Sequence, residues 1–121
     1  MGDVTQLLGR ALRIQEGVAS QRLASADTLV DLAQARNRLD GPAAAEPLVR
    51  RALAIQRELL APGHRTLVPA LTALGELTFE RGTVAEAREL LLEAVGIARN
   101  KLPEHHSQRT RAEAALRKAL G

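Results

Sequence analysis

Two neighbouring histidines beside a glutamate, Glu104-His105-His106, are the side chains in this sequence best suited to chemistry. Imidazole nitrogens and carboxylates are ligands that zinc prefers. Adjacent residues in a loop point in different directions, however, and no second ligand pair follows at the i, i+4 spacing of a helical metal site. We therefore interpret this segment as a connector between helices, and we expect neither a metal nor a cofactor.

Three arginine clusters could bind either phosphates or carboxylates, since a guanidinium group is suited to both. The clusters are Arg36 with Arg38, Arg50 with Arg51, and Arg109 with Arg111. They are either nucleic-acid contacts or solvated helix faces partly paired with Asp40, Glu46 and Glu113. The formal net charge is only +3, and single-stranded nucleic acid usually requires stacking aromatic side chains. Because Phe79 is the only aromatic residue, we favour solvated faces and do not expect a nucleic-acid partner.

The sequence lacks the common signatures of an enzyme. It contains no cysteine, which excludes disulfides, thiolate zinc sites and cysteine nucleophiles. It has no Gly-rich phosphate loop and no nucleophile elbow. Ser20, Ser25 and Ser107 lie near expected helix starts, where capping is the ordinary function of serine. We therefore expect a protein that is not an enzyme.

The composition predicts helices. Hydrophobic residues make up 45% of the 121 residues but aromatic residues only 1%, so the core must consist of Leu, Ala, Val and Ile. Ala and Leu are the strongest apolar helix formers. No apolar run approaches the roughly 20 residues that span a membrane, and no signal peptide is evident at the start. We expect no membrane attachment and a cytoplasmic location.

A sequence repeat with a period of 41–42 residues runs along the chain. Its clearest copies are Ala11-Leu12-Arg13-Ile14, Ala52-Leu53-Ala54-Ile55 and Ala94-Val95-Gly96-Ile97. Each unit contains two apolar stripes with helical spacing. The first stripe is Leu67, Ala70, Leu71, Leu74 and Leu77, and the second is Ala87, Leu90, Leu91, Ala94, Val95 and Ala98. Between the stripes Gly82 breaks the pattern, and Thr83 with Glu86 predicts a capping box.

The pattern predicts six helices, at roughly 3–20, 25–38, 42–61, 66–81, 84–101 and 107–120. One further apolar stripe, of Leu29, Leu32 and Ala33, defines the buried face of the second of these helices. Short connections containing Pro62-Gly63, Gly82 and Pro103 separate the later helices. Neighbouring helices should therefore be antiparallel. Small residues such as Ala33 and Gly75 should lie where two helices cross closely.

The segment from Ala43 to Ile55 resembles the second helix of a kinesin-light-chain-type tetratricopeptide repeat, and Leu60-Ala61-Pro62-Gly63-His64 resembles its connector. The 42-residue period is that of this longer subtype. The resemblance implies an all-α fold, a right-handed superhelical solenoid of antiparallel helical hairpins with about six helices. It also implies one domain over residues 1–121, complete or part of a longer array. The function it implies is that of a protein–protein interaction scaffold.

In tetratricopeptide proteins the first helix of each hairpin lines a concave groove, so the resemblance places a partner there. The predicted groove residues are Asp27, Val30, Gln34, Asn37, Thr72, Glu76, Phe79 and Glu80. Because they combine acceptors and amides with one apolar side chain, we expect an extended or helical protein segment with some basic character. Phe79 is either the anchor of that groove or a core aromatic.

The two ends of the repeat pattern are out of phase with the hairpins. Residues 4–14 match the second helix of a repeat, and residues 107–120 match a first helix. Repeat arrays normally need polar faces at their ends. Apolar strips containing Leu7, Leu8, Leu12 and Leu116 therefore predict a homo-oligomer or a longer array, unless the end helices act as caps.

Overall fold

The computed structural model describes the backbone of residues 2–121 and the side chains of residues 6, 7 and 9–121. Within that part of the chain, five α-helices account for all of the regular secondary structure. They are α1 (Gly2–Asp40), α2 (Pro42–Leu59), α3 (Leu67–Glu80), α4 (Val84–Lys101) and α5 (Ser107–Leu120). The predicted all-α architecture of successive helices is therefore confirmed.

The first helix, α1, is continuous where the sequence pattern predicted a break near residues 21–24. The later connectors contain helix breakers, namely Pro62-Gly63 and Pro103, whereas residues 19–25 contain neither proline nor glycine. The hydroxyl of Ser25 donates a hydrogen bond to the carbonyl of Gln21 at 3.0 Å. Because this is a bond within a helix, the expected capping function of Ser25 is wrong.

Glycines allow the two sharp turns between antiparallel helices. Gly41 precedes α2 with φ 90°, and Gly82 precedes α4 with φ 88°. Side chains with a β-carbon rarely adopt this conformation. The capping box predicted for Thr83 is wrong, because that side chain makes no capping bond. Glu86, its expected partner, instead accepts a hydrogen bond from Arg50 of α2.

The core lies around α3, which contacts all four other helices. The leucines and alanine of its predicted stripe are buried, and so are the small residues of α2 and α4 that face α1 and α3. One stripe residue was predicted wrongly: Leu32 is 46% exposed on α1. The two hairpins, α1 with α2 and α3 with α4, therefore pack through α3, and α5 packs on α3 and α4.

Candidate functional site

The second half of α1, together with α3 and α5, forms a shallow groove, which we call the groove throughout. A cavity of about 90 Å³ opens between these three helices. Of the eight predicted site residues, four line it: Gln34 and Asn37 from α1, and Glu76 and Glu80 from α3. Arg111 of α5 lines it from the other side. The structure therefore brings these four polar side chains together on one surface.

Phe79 lines a second, smaller cavity of about 60 Å³ beside the first. This cavity shares Glu76 and Glu80 with the first and is closed by Ala115 and Lys118 of α5. The ammonium nitrogen of Lys118 lies 5.7 Å from the centroid of the Phe79 ring, which is cation–π geometry. Phe79 is therefore partly buried at the edge of the groove, and it lies outside the main core cluster.

Two predicted site residues are too deeply buried to contact a partner. Val30 is 7% exposed and Thr72 is 2% exposed. The helical spacing placed Val30 on a face turned away from the Leu29–Ala33 stripe. In the folded chain α3 packs beside α1, and Val30 joins the common hydrophobic core.

Asp27 lies apart from the other predicted residues. It is exposed and lines a different cavity, of about 370 Å³, together with Arg65, Pro69 and His106. Ten residues of α1 separate Asp27 from Asn37, which corresponds to about 15 Å along the helix axis. Asp27 is therefore not part of the polar cluster that lines the groove.

The charges in the groove are only partly neutralised. Glu76 accepts hydrogen bonds from Nε and Nη2 of Arg111 at 3.1 and 2.7 Å. Glu80 is exposed and forms no ion pair with the side chains that the structure describes. The amides of Gln34 and Asn37, both partly exposed, add donors and acceptors. The α1–α3 side of the groove can therefore accept hydrogen bonds and one positive charge from a ligand.

Comparison with known sequences identifies the protein family of this chain. The sequence profile described as tetratricopeptide repeat matches residues 24–100, which is more than half of the chain. The chain belongs to the tetratricopeptide repeat family. The kinesin-light-chain subtype suggested by the 42-residue period is compatible with this match. None of the curated proteins compared with the chain matches it.

In this tetratricopeptide array one histidine of each connector accepts a hydrogen bond from a backbone N–H near the start of the next helix, a function that the sequence analysis missed. Nδ1 of His106 accepts a hydrogen bond from the backbone N–H of Gln108 at 3.1 Å. Nδ1 of His64 accepts one from the backbone N–H of Thr66, also at 3.1 Å. The signal was present in the sequence, since His64 and His106 are one repeat apart. Among the side chains that the structure describes, no three from His, Asp or Glu cluster as metal ligands would.

One arginine of each cluster in the array pairs with a carboxylate one turn away on the same helix. All three predicted pairs are confirmed. They are Arg36 with Asp40 at 3.1 Å, Arg50 with Glu46 at 3.6 Å, and Arg109 with Glu113 at 2.8 Å. None of the helices in the described part of the chain is both long enough and apolar enough to cross a membrane.

Proposed function

We propose that this tetratricopeptide array is a protein-interaction scaffold that binds a segment of another protein in the groove between α1, α3 and α5. The observation that supports this function is the convergence of Gln34, Asn37, Glu76 and Glu80 on one cavity. Binding sites commonly combine an apolar surface with a few convergent polar groups of this kind. The absence of cysteine accords with a reducing, cytoplasmic setting for that function.

The chemistry of the groove favours a partner with a basic residue next to an apolar one. The exposed carboxylate of Glu80 suits a lysine or arginine of the partner. The cavity between Phe79 and Ala115, less than a turn of α3 away, suits a small apolar side chain. The amides of Gln34 and Asn37 suit the backbone of a bound segment, because an amide can both donate and accept.

A nucleic-acid partner is less consistent with the charge distribution. Besides the three pairs within helices, six arginines form ion pairs with glutamates of other segments in the described part of the chain. They are Arg22, Arg50, Arg57, Arg81, Arg99 and Arg111. A guanidinium group held by a carboxylate contributes less to the positive field that phosphate binding requires. The proposal therefore commits to a protein segment.

A displayed library of random peptides tests this function with a defined probe. Peptides selected on the wild-type chain are measured by fluorescence anisotropy against the variant Gln34→Ala with Glu76→Ala. We expect selected peptides to carry Lys or Arg beside an apolar residue and to lose at least tenfold in affinity on the variant. The melting temperature should change little, because an exposed ion pair such as Glu76–Arg111 contributes only about 0–1 kcal/mol to folding.

The matched control removes the same kinds of group outside the groove. Glu93→Ala with Asn100→Ala deletes a glutamate that is ion-paired with Arg57, and an exposed amide, both on α4. Selected peptides should bind this control as tightly as the wild type. Equal binding to the groove variant, or a loss confined to the α4 variant, would move the site to another surface.

A further inference from the structure

A second cavity lies at the other end of the three helices that form the groove. It has a volume of about 370 Å³ and is lined by residues of the connectors before α3 and α5, so we call it the connector cavity. Arg65 and His106 come from the connectors, Asp27 from α1, Pro69 from α3 and Gln108 from α5. The three helices that line the groove therefore also line the connector cavity.

The groove and the connector cavity are successive parts of one surface. On α3, Pro69 lines the connector cavity, whereas Glu76 and Glu80 line the groove. These residues follow one another at intervals of about two turns and one turn, so they lie on the same face of the helix. On α5, Gln108 lines the connector cavity and Arg111, about one turn later, lines the groove. A segment that lies in the groove can therefore extend into the connector cavity.

Hydrogen-bond donors and positive charge converge on the connector cavity. Arg65 is exposed and forms no ion pair with the side chains that the structure describes. Nδ1 of His106 accepts the hydrogen bond from Gln108, so in the neutral imidazole Nε2 carries the hydrogen and is a donor. The starts of α3 and α5 lie at the same cavity, and the positive ends of their dipoles add to the field of Arg65. The cavity therefore suits an acceptor group with a negative charge.

Asp27 restricts which negative group the connector cavity suits. It is exposed and, like Arg65, forms no ion pair with the described side chains, although both line the same cavity. A phosphate dianion offers acceptors only, so it would leave the carboxylate of Asp27 facing a like charge. An acidic residue of a peptide offers its carboxylate to Arg65 and a backbone N–H to Asp27. The two side chains together therefore favour an acidic residue over a phosphate group.

We propose, building on the proposed function of the groove, that the connector cavity is a second subsite that takes an aspartate or glutamate side chain of the bound segment. Its carboxylate pairs with Arg65 and accepts a hydrogen bond from Nε2 of His106. The basic residue of the same segment pairs with Glu80 at the far end of the groove. The partner is therefore a segment with opposite charges at its two ends, complementary to the two ends of this surface.

The length of α3 sets the spacing of those two charges. Thr66 lines the connector cavity and Glu80 lines the groove. Fourteen residues separate them, which corresponds to about 21 Å along the helix axis. An extended segment covers about 3.3 Å per residue, so its acidic residue should lie about six residues before or after its basic one.

Peptides selected from the displayed library on the whole wild-type chain test this subsite. We expect them to carry Asp or Glu about six residues from Lys or Arg. One such peptide, and its counterpart with an amide in place of the acidic side chain, are measured by fluorescence anisotropy on the wild type and on Arg65→Gln. The wild type should bind the amide peptide about tenfold more weakly than the acidic one, because a charge-assisted hydrogen bond is lost. Arg65→Gln should bind both peptides equally weakly, since the cycle then assigns the loss to one contact.

Arg51→Gln is the matched control, because Arg51 is an exposed arginine of α2 that lines neither cavity and forms no ion pair with the described side chains. It should bind both peptides as the wild type does. The predicted apolar strip also lies outside both cavities: Leu7 and Leu12 are exposed, and Leu8 lies outside the described side chains. Melting temperatures should stay close to that of the wild type, since both arginine side chains are exposed.

A phosphoserine peptide tests the choice between a carboxylate and a phosphate. With phosphoserine in place of the acidic residue, the peptide should bind the wild type more weakly than the acidic peptide does. Asp27→Asn should bind the phosphoserine peptide several-fold more tightly than the wild type does, because the like charge is gone. Tighter binding of the phosphoserine peptide to the wild type would overturn the assignment to an acidic side chain.

Failure of the subsite and failure of the groove function give different results. If Gln34→Ala with Glu76→Ala weakens binding but Arg65→Gln does not, the groove binds the segment and the connector cavity is no subsite. If neither variant weakens binding, the groove function and the subsite both fail. Selected peptides without an acidic residue at the expected spacing would also overturn the subsite.

Discussion

Arg22 of α1 donates hydrogen bonds from both of its terminal nitrogens to the carboxylate of Glu58 of α2, at 3.1 and 2.7 Å. The partners are 36 residues apart, and the same spacing joins Arg50 to Glu86 and Arg57 to Glu93. Ion pairs between an arginine and the glutamate 36 residues later therefore connect α1 to α2 and α2 to α4. This relationship has consequences for stability at acid pH.

The hydrogen bonds from Arg22 hold the pKa of Glu58 below its usual value, and those from Arg109 do the same for the pKa of Glu113. A carboxyl group whose pKa is lower in the folded chain stabilises folding above its unfolded pKa, about 4.3, and loses this contribution as the pH falls through the folded value. We expect the melting temperature to be steady down to about pH 5 and to decrease below it.

The variant Glu58→Gln with Glu113→Gln measures the share of these two carboxylates in that decrease. Its melting temperature should fall less between pH 5 and pH 3 than that of the wild type, by a small margin because the Glu58 side chain is exposed and the Glu113 side chain is only partly buried. High salt should shrink the difference, since exposed pairs are screened. A variant with an acid decrease as steep as the wild type would show that other carboxylates govern the transition.

The crossing of α3 and α4 depends on a residue without a side chain. A β-carbon on Gly75 would lie 2.5 Å from Cγ and 2.6 Å from Cδ2 of Leu91, which is fully buried. Gly75→Ala should therefore lower the free energy of unfolding by about 1–3 kcal/mol, the usual cost of overpacking a core. Urea denaturation measures it, because m stays constant when only stability changes.

Gly96→Ala is the control for the helix propensity gained by replacing glycine. Gly96 lies inside α4 with open space around it, so the added methyl group meets no atom within 4 Å. This variant should gain up to about 1 kcal/mol, because alanine favours the helix over glycine. If Gly75→Ala were as stabilising as Gly96→Ala, the close approach to Leu91 would not constrain the crossing.

The hydrophobic pattern was sufficient to predict α2 to α5 and most of the faces that they bury. Leu74 of α3 and Leu91 of α4 are buried as their three-and-four spacing indicated. The continuity of α1 could also have been predicted from the sequence, since residues 19–25 contain neither proline nor glycine. Local composition thus contains most of the information about the elements.

Contacts between hairpins could not be predicted from the sequence in the same way. Glu86 pairs with an arginine 36 residues earlier rather than with the backbone beside Thr83. Val30 appeared polar-facing by its spacing but is buried in the hydrophobic core that the helices share. Both outcomes depend on how the helices pack against one another, which a periodicity within one helix does not encode. The same limit explains why only part of the predicted groove lines one cavity.

Two buried threonines of α3 should respond oppositely to the same substitution. The hydroxyl of Thr72 is buried and has no hydrogen-bond partner among the described atoms. The hydroxyl of Thr78, also buried, lies 2.9 Å from the carbonyl oxygen of Leu74 and 3.1 Å from that of Gly75. Burial of an unpaired polar group destabilises a fold, whereas a paired one contributes to stability.

Thr72→Val should therefore raise the free energy of unfolding by roughly 1 kcal/mol, and Thr78→Val should lower it by roughly 1 kcal/mol. Urea denaturation at neutral pH compares the two variants under identical conditions. Because Thr72 is buried although its spacing predicted a groove position, Thr72→Val should also bind library-selected peptides as tightly as the wild type. A destabilised Thr72→Val would show that its hydroxyl has a partner in solution. A weakened affinity without loss of stability would return Thr72 to the binding surface.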